Sequence, residues 1–63
     1  MKATITYKSG NSIMTMEVEN VTKIEKTYGM YNGKSVEELR VYDSDYHWRT
    51  WIAEGIINIF IHA

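Results

Sequence analysis

Ile56-Ile57-Asn58-Ile59-Phe60-Ile61-His62, the last long apolar segment of the chain, decides between an all-β and an α+β fold. After Thr50 the only polar residues are Glu54, Asn58 and His62, spaced four apart as on one stripe of a buried helix. The same three residues also share one face of a strand, so spacing alone does not choose. Composition does: Ile56, Ile57, Ile59 and Ile61 are β-branched, stiff at χ1 and suited to a pleated surface. Gly55 fits a corner better than a helix interior. The segment is therefore predicted as a strand, with an α+β chain whose residues 51–62 form a C-terminal helix as the alternative.

Working outward from that segment, the rest of the chain repeats strand signals. Ala3-Thr4-Ile5-Thr6-Tyr7 alternates apolar and polar, and so do Met14, Met16 and Val18 with Thr15 and Glu17. Ser9-Gly10-Asn11-Ser12 between them is a turn cluster, so the two runs predict a hairpin. Glu19 to Thr22 reads as a corner, and Lys23 to Tyr28 as a third strand with Ile24 inward. The stretch from Thr27 to Glu37 is the least regular. It contains Asn32-Gly33, a type I′ turn signal, and Ser35-Val36-Glu37-Glu38, a capping-box pattern. No helical apolar stripe follows, and a loop is expected there. Leu39 and Val41 then alternate with Arg40 and Tyr42, Asp43-Ser44-Asp45 is a turn, His47 to Ile52 a strand, and Glu54-Gly55 a second corner.

Sliding the chain on itself by thirty-five residues aligns turn with turn and corner with corner, placing Tyr7 on Tyr42, Ser9 on Ser44 and Glu19 on Glu54. Both halves then run strand, turn, strand, corner, strand. This predicts one domain over residues 1–63, an all-β small antiparallel sandwich or barrel of six short strands, arranged as two three-stranded meanders.

Size and composition narrow the function. A chain of 63 residues buries only about 60% of the surface its unfolded form exposes. With no cysteine, neither disulfides nor a thiolate zinc site can staple it, which leaves oligomerisation. The final strand points to the same answer, because Ile57, Ile59 and Ile61 alternate with Ile56, Asn58, Phe60 and His62. A strand that is apolar on both faces needs cover on both. A homo-oligomer interface built on Ile56 and Phe60 is expected.

A formal net charge of -1, with acids and bases interleaved, disfavours nucleic acid as a partner. No signal peptide is read at the N-terminus, no apolar run is long enough to span a bilayer, and a cytoplasmic location is expected. Catalytic patterns are lacking: His47 and His62, with Asp43, Asp45 or Glu54, show no diagnostic spacing, and no nucleophile-elbow or phosphate-loop motif occurs. Neither a metal nor another cofactor is expected, and the chain is read as non-enzymatic.

Binding chemistry has more support. Tyr46, Trp48 and Arg49 combine the residue types that dominate protein-interaction hot spots, and they also suit stacking on a base with arginine on phosphate. The leading expectation is an accessory or inhibitory module that binds another protein as a homo-oligomer. The alternatives are a protein that sequesters a nucleotide-like small molecule and a purely structural oligomer subunit. In brevity and composition the chain resembles short accessory proteins of phages and mobile elements, a likeness that covers no motif.

Overall fold

A computed structural model describes residues 1–63, and all of its regular structure is strand apart from one 3-10 turn. The order is β1 (Lys2–Ser9), β2 (Ser12–Val18), β3 (Val21–Tyr31), β4 (Lys34–Asp43), β5 (Trp48–Ile52), the turn Ala53–Gly55 and β6 (Ile56–His62). The C-terminal segment is a strand, as its isoleucines predict, and no helix is long and apolar enough to cross a membrane.

Two antiparallel three-stranded sheets form, ordered β2-β1-β6 and β3-β4-β5. This corrects the two-meander expectation. The thirty-five-residue offset matched local order, but β6 pairs with β1 rather than with β4 and β5. A corner at Asn20, whose φ is 55°, leads from β2 in one sheet to β3 in the other. Asparagine tolerates this left-handed backbone better than most residues.

Two hairpins set the registers. Gly10 has φ of 63° at the first central position between Ser9 and Ser12, as a type II′ turn requires. Asn32 and Gly33 have φ of 50° and 78°, a type I′ turn that joins β3 directly to β4. The loop expected over residues 27–37 is therefore corrected to paired strand on both sides of that two-residue turn. Gly29 and the adjacent Glu37 and Glu38 interrupt the alternation that would have marked it.

The core lies between the sheets. Ala3 and Ile5 of β1, Val18 of β2, Val21 of β3 and Val41 of β4 are buried, with Tyr7, Leu39, Trp51, Ile56 and Ile59 packed partly against them. The Tyr7 and Trp51 rings meet edge to face at 6.0 Å across the two sheets. Along its thinnest direction the molecule measures 13 Å, room for one pair of sheets about 10 Å apart and no third layer. Both outer faces are consequently left to solvent or to a partner.

Candidate interaction surface

On the outer face of β3-β4-β5 the register brings chemistry-bearing side chains into rows. Lys23, Tyr42 and Trp48 form one row, Glu25, Arg40 and Thr50 the next, and Thr27, Glu38 and Ile52 the third. A hydrogen-bonded chain links the first two. Lys23 Nζ lies 2.8 Å from Glu25 Oε2, Tyr42 donates to Glu25 Oε1 at 3.3 Å, and Arg40 Nη1 donates to the Tyr42 hydroxyl at 3.2 Å. The Arg40 guanidinium lies 5.0 Å from the Trp48 ring centroid and 6.0 Å from that of Tyr42, within cation–π range of both.

The carboxylate–ammonium contact lowers the Glu25 pKa and raises that of Lys23, in both cases chiefly through the hydrogen bond they share. Glu38 is only 8% exposed although it stands on an outer face. Tyr31 reaches back over Gly29, which has no side chain, and donates its hydroxyl proton to Glu38 Oε2. That bond raises the Tyr31 pKa. Thr27 Oγ1 and Arg40 Nε are buried beside this network without partners.

The sequence-predicted binding residues separate. Trp48 is exposed on the outer face beside Arg40 and Tyr42, 5.8 Å from the Tyr42 ring. Tyr46 is in the turn before β5 and displays 85% of its surface. Its φ of 62° is a left-handed backbone that a bulky aromatic rarely adopts. Tyr46, His47 and Trp48 line a shallow depression. Arg49 points the opposite way, opposite Val41, into a cavity of 320 Å³ at the open end of the sheets. Val18, Val41, Asp43, His47 and Trp48 line that cavity with it.

The proposed interface pair also parts. A register shift between Thr6 and Tyr7 makes Ile57 an extra residue in β6, so Asn58 pairs with Thr6 and Ile56 with Tyr7. Ile56 is thereby turned to the core face, whereas Phe60 stays on the outer face of its sheet, 58% exposed. The expectation that Ile56 and Phe60 share a face is corrected by this bulge.

Both histidines are tied to local structure. Asp43 Oδ1 accepts the backbone N–H groups of Asp45 and His47 at 2.9 and 3.1 Å, which closes the turn. Ligand atoms of Asp43, Asp45 and His47 lie within 4.8 Å of one another, and the Asp43 carboxylate among them is engaged in closing the turn. His62 is held in β6: its Nε2 is 3.0 Å from Thr4 Oγ1 and its ring stacks on Phe60 at 5.0 Å. The pairing of Thr4 with His62 resembles a nucleophile and its base. The acid partner, Glu17, however approaches that same Nε2 at 4.0 Å, while Nδ1 faces the Ala63 carbonyl oxygen. An acid on the same nitrogen as the hydroxyl cannot orient the imidazole as general base in a hydrolytic triad.

Sequence reasoning passed over Tyr31, Glu38 and Gly29. An available signal was the period of two, which puts Glu38 on the face of Arg40 and Tyr42. No protein-family model, no curated protein and no solved structure matches the chain.

Proposed function

We propose that this protein is a non-enzymatic binding module that acts on another protein as a homo-oligomer. The observation that carries this reading is Tyr46. A tyrosine kept in the left-handed region works against the fold, and here it displays nearly its whole ring to solvent. Trp48 stands beside it, half exposed and steadied by Arg40, so two rigid aromatic anchors are presented together. The small core supports the oligomeric part, since five buried hydrophobic residues are few for offsetting the ordering of the whole chain.

The test is affinity capture from the native host with three tagged proteins: wild type, Tyr46→Gly and Ile13→Ser, the last a change on the opposite sheet. A specific partner retained by wild type and Ile13→Ser but lost by Tyr46→Gly supports the reading. Equal capture by all three contradicts it.

One observation favours a second reading, sequestration of a small anionic, nucleotide-like ligand. Arg49 makes no ion pair within the chain and lines the 320 Å³ cavity, of which Trp48 is also a lining residue. Quenching of tryptophan fluorescence by nucleotides, abolished in Arg49→Gln, is the outcome that reading requires.

A further inference from the structure

β3 is an edge strand with β4 on one side only. The two-residue turn makes Tyr31 and Lys34 a hydrogen-bonded closing pair. Alternation along an antiparallel ladder then directs the backbone N–H and C=O groups of Ile24, Lys26, Tyr28 and Met30 away from β4. Natural edges of this kind are guarded by charge, proline or a bulge. Here the irregularity lies between Val21 and Lys23, and the charges are Lys23, Glu25 and Lys26. From Thr27 to Tyr31 there is no guard of any kind. On this same span the inward-facing Tyr28 and Met30 are 67% and 71% exposed.

We propose that this edge pairs antiparallel with the same edge of a second copy, about a two-fold axis at Thr27, to form one six-stranded sheet across both molecules. The proposal rests on the homo-oligomer reading above and gives it an interface. The occupant follows from charge and symmetry. The regular stretch Lys23–Tyr31 has Thr27 at its centre. An axis there sets Lys23 opposite Tyr31 of the second copy, Ile24 opposite Met30, Glu25 opposite Gly29, and Lys26 opposite Tyr28. No like charges stand directly opposed, and exposed apolar side chains meet apolar ones. An axis at Glu25 would set glutamate on glutamate, and one at Lys26 lysine on lysine. An axis at Tyr28 would leave Lys23 and Ile24 unpaired. Lys26 also keeps its own counter-ion, Glu37, at 3.4 Å.

The chain has no cysteine, so Thr27→Cys introduces a single thiol. At the axis, two Thr27 positions would form a non-hydrogen-bonded pair with Cα atoms about 4.5 Å apart, within disulfide range. Thr15→Cys, on the outer face of β2, is the control. Under mild oxidation Thr27→Cys is expected to become a covalent dimer and Thr15→Cys to remain uncrosslinked. A second variant, Tyr28→Pro, removes an outward N–H that β4 does not use. It is expected to weaken self-association at least tenfold while keeping a β-type circular dichroism spectrum. If wild type is oligomeric by native mass spectrometry but Thr27→Cys fails to crosslink, this interface is overturned and the oligomer reading stands. A monomeric wild type overturns both. Should Tyr28→Pro fail to fold, the cysteine pair decides alone.

Discussion

A Cβ added at Gly29 would lie 2.6 Å from Glu38 Oε1, so the space left by one strand's missing side chain is the seat of its neighbour's buried carboxylate. Gly29→Ala must move Glu38 and loosen its bond from Tyr31. Losing a hydrogen bond to a charged group costs about 1.5–3 kcal/mol, against a gain of about 0.4–1 kcal/mol from a less flexible unfolded chain. Urea denaturation should therefore show a net loss of about 1–2 kcal/mol. In a Tyr31→Phe background the same substitution should cost clearly less, because the bond is already gone.

Tyr31 sets a pH dependence on the alkaline side. Its hydrogen bond to Glu38 raises its pKa above the ordinary value of 10.0, so the folded state holds this proton more tightly than the unfolded state. The resulting stabilisation is fully present below about pH 10 and is lost as pH rises through the higher folded value. Glu25 acts in the opposite sense. Its pKa lies below the ordinary 4.5, so its contribution is present above that pH and disappears as pH falls through the lower folded value. A phenolate absorbance titration should show a late-ionising component from Tyr31. Tyr31→Phe should remove that component.

Arg40 and Trp48 are coupled through the face of the indole. Arg40→Met keeps the aliphatic stem and removes the cation. A double-mutant cycle of Arg40→Met with Trp48→Ala should give a coupling energy of about 0.5–1 kcal/mol by chemical denaturation. A cycle pairing Arg40→Met with a change at Ile13, on the other sheet, should close near zero.

Tyr46 separates stability from function. Tyr46→Gly relieves a left-handed backbone that costs a bulky residue about 1–2 kcal/mol. Part of that gain is offset by the greater freedom of glycine in the unfolded chain, about 0.5–1 kcal/mol. Thermal melts should therefore show Tyr46→Gly at least as stable as wild type. A fold that melts earlier in this variant would mean that the tyrosine ring supports the structure.

How far the fold was legible follows from where its information lies. The Ser9–Ser12 turn, the Asn32-Gly33 turn and the β-branched C-terminal run are local signals, and each marks its element. The stretch leading into and out of Asn32-Gly33 reads as a loop in isolation because Gly29 weakens a strand and Glu37 falls on the face of Leu39 and Val41. Gly29 becomes compatible with a strand once β3 and β4 are paired and it accommodates the Glu38 carboxylate. Ile56 was placed on the wrong face because a bulge at Ile57 is set by register against β1, fifty residues away in sequence. The grouping of strands into sheets was lost for the same reason. Trp48 and Arg49 on opposite faces follow directly from a period of two, whereas the backbone of Tyr46 left no trace in residue type.

Self-association is the claim on which the homo-oligomer reading and its β3 interface depend, and sedimentation equilibrium of the unmodified chain across the micromolar range is its test. A species of twice the 7.4 kDa chain mass, dissociating only on dilution, is expected. A single species at 7.4 kDa over the whole range would contradict it.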